Sequence, residues 1–331
     1  MRELSALAWD AGRRLDKYLA QYLNEAPDTL IYKLLRKKRI KLNGARASGS
    51  ERLSGGDKIQ LFLADATLDG LITAKTKTAE AEDIEIIYED AHTLVVNKPP
   101  GIPSHSGMGG EMETLLTRAL FYLNKSGVGE PERGAFTPAL CNRLDVNTSG
   151  AVICGKTSLS VRFWNEALAK KLVEKEYLAV VHGKLTGQAK LEGYYQKNRY
   201  ANVATIYQIA DGAKNRLATV VTEYESMKCA NGYSLIKVRP TTGRSHQIRA
   251  HMASVGHPVA GDVKYGGKRM EYAPAQLLHC AGLTLRNHNE TEREKLPETF
   301  REMYREGAAF RARPPEGFEN CVKDLFGSGL I

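Results

Sequence analysis

Apolar residues near the N-terminus recur at the spacing of an α-helix. Leu15, Leu19 and Leu23 lie on one helical face, with charged side chains between the first two. A second apolar run of this kind covers residues 30–35 and leads directly into a cluster of cations. The pattern predicts two short helices, each with one apolar face.

After these helices, apolar positions alternate with polar ones, as they do in a half-buried strand. The alternating run at residues 40–42 ends at Asn43-Gly44, which is the strongest two-residue signal for a β-hairpin. A second alternating run, residues 59–63, follows a glycine-rich turn. We therefore predict that residues 1–64 form a small α/β domain in which two helices precede short strands.

The pattern changes again beyond this segment. Residues 73–82 alternate in charge and contain almost no large apolar side chain, so residues 65–82 are predicted to be a linker. In residues 83–331, strand-like and helical runs interleave without the regular βαβ order of a doubly wound fold. This order predicts an α+β domain built on a mixed, largely antiparallel sheet. The predicted strands cover residues 84–87, 93–97, 150–154, 177–182, 217–224 and 233–239, and the predicted helices cover residues 112–124 and 158–171.

The positive charge of the chain is concentrated near its N-terminus. Of the formal net charge of +9, residues 1–64 contribute thirteen Lys/Arg and seven Asp/Glu. Lys37, Lys38 and Arg39 form the centre of a cluster of six cations within nine residues. A polyanion is the natural partner for such a surface, although a merely solvated helix face has the same composition.

Several classes of protein are disfavoured by the sequence. No apolar run approaches the eighteen residues of a membrane span, and the N-terminus does not have the pattern of a signal peptide. The five cysteines are scattered and none forms a CxxC pair, which argues against both a zinc site and a disulfide framework. We therefore expect a cytoplasmic protein with reduced thiols that is not embedded in a membrane.

One carboxylate stands out in the centre of the chain. Asp145 is followed by four turn-forming residues and then by the apolar run 151–154, so it lies in a loop at the edge of a sheet. In an extended backbone Arg143 would share its face, and a neighbouring cation would keep the carboxylate ionised. Taken alone, the pattern also fits an aspartate that only bonds to its own turn.

A second polar run covers residues 239–251 and supplies basic side chains. Its histidines, together with His257, are spaced five and six apart, which does not match the i,i+4 pair of a helical zinc site. We found no glycine-rich phosphate loop between a strand and a helix. The sequence therefore favours a chemistry that needs neither a metal nor a nucleotide cofactor.

Two stretches of the chain resemble known families. Residues 14–19, 39–44 and 56–59 occur in the order found in the S4 RNA-binding domain, and this resemblance covers about residues 13–62. It implies that the helix pair presents its cations to folded RNA, which is held mainly through phosphates and shape. The second resemblance is to the RluA-like pseudouridine synthases, which act on large-subunit ribosomal RNA or on tRNA. Its five collinear motifs are residues 96–101, 143–150, 175–179, 242–251 and 277–280.

The second resemblance implies roles for individual residues in the reaction. Asp145 corresponds to the essential aspartate of the family. Tyr177 corresponds to the tyrosine that packs on the target uracil and is proposed to assist proton removal at C5. Arg249 is our choice for the arginine that pairs with the aspartate, and Arg244 is the alternative. Asn142 stands where the family often has a histidine, which leaves any contact made by that histidine in doubt.

The same resemblance implies substrate contacts and leaves other questions open. Arg143 would fill the gap that opens in the RNA when the uridine swings out, Leu278 would line the base pocket, and Arg244 would contact the RNA. We expect a cofactor-free monomer that modifies 23S-type ribosomal RNA, with tRNA as the alternative. Whether Asp145 attacks the sugar, attacks the base or acts as a base stays open. A catalytically silent RNA-binding protein and an RNA methyltransferase are the competing function classes.

Overall fold

The computed structural model of the chain contains two β-sheets, one of four strands and one of eleven, among the residues that it describes. Those residues are 1–6, 10–72, 83–105, 113–125, 136–198, 200–207, 217–270, 275–286 and 298–331. The strands are β1 Arg2–Ser5, β2 Ile40–Leu42, β3 Ala45–Arg46, β4 Lys58–Leu61, β5 Glu85–Glu89, β6 Thr93–Lys98, β7 Ala139–Leu140, β8 Ser149–Gly155, β9 Val173–His182, β10 Gln188–Asn198, β11 Val203–Tyr207, β12 Ala218–Ala230, β13 Tyr233–Pro240, β14 Leu278–Leu285 and β15 Ala309–Arg311. The helices are α1 Leu15–Tyr22, α2 Asp28–Arg36, α3 Asp65–Leu71, α4 Leu115–Lys125, α5 Ser158–Ala169, α6 Gln247–Ser254, α7 Glu298–Glu306 and α8 Glu316–Phe326, with a short 3₁₀ helix at Val263–Tyr265.

The N-terminal unit has its own apolar core. Helices α1 and α2 pack on a sheet of order β1-β4-β2-β3, and Leu15, Leu19 and Leu23 are fully buried. Asn43 and Gly44 both have positive φ, at 51° and 77°, which is the backbone that a two-residue hairpin turn requires. The two predicted helices and the predicted hairpin are therefore present, and β1 is an additional strand that completes the sheet.

The start of the predicted linker was wrong. Residues Asp65–Leu71 form helix α3, and Leu68 is fully buried within the N-terminal core. This helix buries only one residue, so its apolar pattern is too short to reveal a helical period in the sequence. The rest of the linker, residues 73–82, lies outside the described residues.

The larger sheet confirms the predicted α+β class with a mostly antiparallel arrangement. Its strand order is β11-β10-β12-β13-β9-β14-β8-β6-β5, with β15 beside β14 and β7 beside β8. Within the described residues, β14 and β8 form the one parallel pair. The predicted strands and helices of this part are present, except that residue 112 of the first predicted helix is not described. Strands β10 and β11 were not predicted.

The centre of the sheet fixes the position of the central loop. Strand β8 begins at Ser149, directly after the loop that carries Asp145, and it lies between β6 and β14. Gly150 has φ of +117°, and an added Cβ would lie 2.2 Å from the carbonyl oxygen of Cys280 on β14. Only glycine fits this close approach of two backbones. The end of the loop is thus anchored in the middle of the largest sheet. None of the described helices is long and apolar enough to cross a membrane.

Candidate active site

The loop that carries Asp145 is tied to the end of β6 by a buried lysine. Lys98 Nζ donates hydrogen bonds to the carbonyl oxygens of Pro99, Val146 and Thr148, at 2.9, 2.7 and 2.9 Å. Three carbonyls match the three donors of one ammonium group. Burial lowers the pKa of Lys98 to about 7, and the nearby carboxylate of Asp145 opposes this shift. Lys98 therefore holds the backbone on both sides of Asn147 in one conformation.

Replacing this lysine should loosen the loop. In Lys98→Met, the loop carbonyls lose their donor, so we expect the free energy of unfolding to fall by about 2–4 kcal/mol and turnover to fall with it. Urea unfolding and single-turnover kinetics measure the two effects. Lys156→Met is the matched control, because Lys156 is similarly buried but binds Glu89 and Asp90, away from the loop. A control that loses as much turnover as Lys98→Met would contradict a specific role for Lys98.

The other end of the loop is fixed by a histidine. His279 Nδ1 lies 2.9 Å from Ser149 Oγ, and its Nε2 lies 3.0 Å from the carbonyl oxygen of Ala312. The carbonyl can only accept, so Nε2 carries the proton and Nδ1 accepts from the serine hydroxyl. Burial lowers the pKa of His279 to about 4. Burial also lowers the pKa of His251, on α6, to about 4.

Because the pKa values of both histidines are lowered, we expect the protein to lose stability in mild acid. Between the usual histidine pKa near 6.5 and a folded-state pKa of about 4, the unfolded chain binds protons that the folded chain does not. The free energy of unfolding should therefore decrease as the pH falls through this window, by about 3 kcal/mol for each histidine. Urea unfolding at a series of pH values tests this, and His279→Gln should show a smaller decrease than the wild type. Equal slopes for the two proteins would contradict the assignment.

Asp145 forms an ion pair with one arginine of helix α6. Arg249 Nη1 donates to Asp145 Oδ2 at 2.9 Å, while its Nε and Nη2 bind both oxygens of Asp262 at 2.6 and 2.8 Å. Asp262 is 2% exposed and Arg249 is 7% exposed, so the arginine is fixed from behind by a buried carboxylate. Burial lowers the pKa of Arg249, but its two ion pairs outweigh this and the net pKa lies above the usual value. The arginine is therefore permanently charged and points its remaining donor at Asp145.

Tyr177 and Leu278 both line the cleft beside Asp145. They belong to the adjacent strands β9 and β14, and both are buried. Burial raises the pKa of the Tyr177 hydroxyl well above its usual value, and a hydrogen bond with the Cys280 thiol adds to this. A phenol with such a pKa is neutral at physiological pH. It offers an aromatic face and a proton, and it is a weak base.

The cleft around Asp145 has a volume of about 960 Å³ and is lined by cations. Its wall contains seven lysines and arginines, and Arg249 is the one that forms an ion pair with a described carboxylate. The other six are Arg143, Lys175, Lys197, Arg244, Lys264 and Arg269. Outside the cleft, by contrast, Arg239 is paired with Glu174 and Glu176. Cations that have no described carboxylate partner suit a polyanionic ligand. Among the described residues, no group of three or more His, Cys, Asp or Glu is arranged to hold a metal ion.

The structure places the predicted site residues in three groups. Asp145 and Arg249 are in direct contact, and Arg244 makes no ion pair with Asp145. Four others line the same cleft without touching Asp145 through a hydrogen bond, namely Arg143, Tyr177, Arg244 and Leu278. The third group is exposed on the N-terminal unit and does not line the cleft, namely Lys37, Lys38 and Arg39.

Two neighbours of this site were not assigned from the sequence. Lys98 lies within the motif at residues 96–101. Its hydrogen bonds to carbonyls nearly fifty residues away produce no recognisable sequence pattern. Asp262 follows a glycine at a turn, and the one available signal was an acidic residue in an otherwise apolar and basic surrounding.

Comparison with known proteins identifies the class of this site. Residues 92–254, which include both Asp145 and Arg249, match the family described as RNA pseudouridylate synthase. A relative from Escherichia coli strain K12, named ribosomal large subunit pseudouridine synthase C, is 32% identical over 334 residues, covering 96% of this chain and 94% of its own length. The chain belongs to the RNA pseudouridylate synthase family. The enzyme is therefore an isomerase that converts uridine in RNA to pseudouridine.

Other relatives agree with this assignment. Proteins with the same name from Haemophilus ducreyi and Rickettsia bellii are 32% and 34% identical to the enzyme, over 89% and 82% of its length. The solved structure of human RNA pseudouridylate synthase domain containing 4 is similar with a TM-score of 0.53 and 18% identity, covering 73% of the enzyme and 92% of that chain. At this identity the likeness concerns the fold of the synthase domain.

Proposed function

We propose that this synthase modifies uridines in large-subunit ribosomal RNA and that Asp145 is its reacting carboxylate. The target is supported by the names of relatives that align with 82–96% of the chain. The role of Asp145 is supported chiefly by one contact: Arg249 binds Asp145 Oδ2 at 2.9 Å within a cleft of unpaired cations. Among the described residues, Oδ1 accepts no hydrogen bond from a side chain or backbone donor, so it is available to react.

The chemistry suits a single carboxylate. Isomerisation breaks the C–N glycosidic bond, turns the uracil and forms a C–C bond, while nothing is oxidised and no group is imported. A carboxylate can hold the detached intermediate covalently, as in retaining glycosidases. Arg249 holds Asp145 in one orientation. Attack by Oδ1 on the sugar, attack on the base and proton abstraction all fit this geometry.

The other cleft residues have complementary tasks in this proposal. The neutral ring of Tyr177 packs against the extruded uracil, and Leu278 lines the pocket beside it. Arg143 is exposed at the mouth of the cleft and fills the space that the uridine leaves in the RNA. Arg244 is also exposed there and contacts phosphate. Extruding the uridine costs roughly a few kcal/mol, which phosphate contacts offset.

The N-terminal unit provides a second RNA surface in this proposal. Its two helices, hairpin and exposed cations follow the order of an S4-like domain. Lys37, Lys38 and Arg39 are exposed at the end of α2, and no described carboxylate forms an ion pair with them. We therefore assign them to RNA phosphates.

Neutralising this cluster should weaken RNA binding and reduce its salt dependence. The variant is Lys37→Gln, Lys38→Asn and Arg39→Gln combined, with asparagine chosen because Lys38 has φ of 55°. Each lost phosphate contact should lower the slope of log K against log salt by about 0.7–0.9. Filter binding between low and high salt measures the slope.

A charge-matched control distinguishes the effect of this surface on RNA binding from the effect of net charge. Lys184, Lys228 and Lys323 are exposed on the synthase domain and lie outside the cleft. Changing all three to glutamine removes the same charge and should leave the slope nearly unchanged. An equal loss of slope in both triple variants would mean that long-range charge, and not the N-terminal cluster, governs binding.

The target is tested by mapping pseudouridines in RNA from cells with and without the gene. Loss of one or more sites in large-subunit ribosomal RNA is expected. Loss in tRNA alone would overturn the proposed target and leave the enzyme class intact.

A further inference from the structure

A histidine that has no role in the proposal above lies next to the reacting carboxylate. His246 Nε2 is 3.9 Å from Asp145 Oδ2, the same oxygen that Arg249 binds at 2.9 Å. This distance exceeds a hydrogen bond, but catalytic hydrogen bonds are often long before the substrate binds. The side chain of His246 is 10% exposed, so solvent has little access to it.

The hydrogen bonds behind the ring favour one position for its proton. His246 Nδ1 lies 2.9 Å from the hydroxyl of Tyr265, and that hydroxyl accepts the backbone N–H of Ala204 at 2.8 Å. Its single proton is therefore free to be donated to Nδ1. When the hydroxyl donates to Nδ1, the proton of the neutral imidazole resides on Nε2, which faces Asp145. Burial lowers the pKa of His246, while the charges around the ring act in both directions, from Asp145 and from Arg249, Lys197 and Lys264.

The backbone at His246 is held in a costly conformation. His246 precedes helix α6 with φ of 56° and ψ of 17°, in the left-handed region that non-glycine residues seldom adopt. The β10–β11 hairpin makes two hydrogen bonds near this turn. Tyr195 on β10 donates its hydroxyl proton to the carbonyl oxygen of Ser245, and Ala204 on β11 binds Tyr265. The ring of Tyr265 also lies under Arg249, 5.0 Å from its guanidinium carbon.

We propose that His246 is a positioning residue that, together with Tyr265, confines Asp145 so that Oδ1 faces the substrate. The proposal rests on Asp145 being the reacting carboxylate. Arg249 and His246 both approach Oδ2, which restricts rotation of the carboxylate and leaves Oδ1 as the oxygen that reacts. A neutral N–H donor at Nε2 orients the carboxylate without placing a second positive charge beside it.

A positioning role and a merely structural role of His246 predict opposite orders of reaction rate for two substitutions. Asparagine tolerates the left-handed backbone and places its amide near the position of Nδ1, but it has no donor near Nε2. Glutamine fits that backbone less well but extends an N–H towards the position of Nε2. A positioning role predicts that His246→Gln is faster than His246→Asn, and a structural role predicts the reverse.

The rates are measured under single-turnover conditions, with RNA affinity measured separately. We expect His246→Asn to lose about 10- to 100-fold in rate and to change its Kd for RNA by less than about twofold. Tyr265→Phe, which removes the donor to Nδ1 without altering the histidine, should also be slower. Tyr207→Phe is its control, because Tyr207 lies on the β10–β11 hairpin that contacts Tyr265, and its hydroxyl donates to Gln196 on that hairpin.

The outcomes separate this inference from the proposed function. If Asp145→Asn remains active, the role of Asp145 fails and the inference fails with it. If Asp145→Asn is inactive while His246→Asn matches the wild type, or exceeds His246→Gln, the inference alone is overturned.

Discussion

Asp145→Asn should lose isomerisation by at least about 10⁴-fold while binding RNA with nearly unchanged affinity. Asparagine has the same shape as aspartate, but its amide neither attacks carbon nor accepts a proton at neutral pH. Arg249 stays in place in this variant because Asp262 still binds it through two hydrogen bonds. Single-turnover conversion of a ribosomal RNA fragment measures the first effect, and filter binding measures the second.

This result also distinguishes the enzyme from a protein that binds RNA without catalysing a reaction. A silent assembly factor would be indifferent to Asp145→Asn, because a neutral side chain of equal size leaves its surface almost unchanged. Asp83→Asn is a suitable control, since Asp83 lies at the start of the synthase domain and does not line the cleft. Retained turnover in Asp145→Asn would remove the carboxylate from the mechanism.

Arg249→Met should cost both stability and activity. The variant leaves Asp262, which is 2% exposed, without its cation, and breaking a buried ion pair on one side typically costs about 3–5 kcal/mol. Asp145 loses its only strong donor among the described residues, so its orientation relaxes and turnover falls. Urea unfolding and single-turnover kinetics measure the two losses.

A double variant separates the two losses. In Arg249→Met with Asp262→Asn, no buried charge remains unpaired, so stability should recover by much of the lost amount while turnover stays low. Arg244→Met is the control, because Arg244 is exposed in the same cleft and makes no ion pair with a described carboxylate. It should weaken RNA binding with little change in stability. Turnover that recovers together with stability would mean that Arg249 acts only as a structural element.

The structure decides between the two arginines that the sequence left open. Both occur in one motif, five residues apart, and both are basic, so spacing could not rank them. Arg249 lies on helix α6, which packs against the sheet and faces the loop of Asp145, whereas Arg244 lies in the preceding turn. In the structure Arg249 contacts Asp145, although the two residues are 104 positions apart in the sequence.

The sequence by itself determined most of the local elements and the place of Asp145 in a loop. Helical and alternating periods specified α1, α2 and the hairpin at Asn43-Gly44, because each depends on neighbours within a few residues. Turn-forming residues placed Asp145 in a loop before a buried strand for the same reason. Strands β10 and β11 were not predicted, because a mostly solvated hairpin shows little alternation of apolar residues.

The tertiary structure alone decided how that carboxylate is held. Lys98 reaches the loop across 48 and 50 positions of sequence, and no local pattern records a bond between an ammonium group and a carbonyl. Asp262 behind Arg249 and the left-handed His246 beside Asp145 likewise depend on the packing of α6 against distant strands. The sequence specifies the chemistry of each side chain. The distances between side chains depend on how the sheet brings remote segments together.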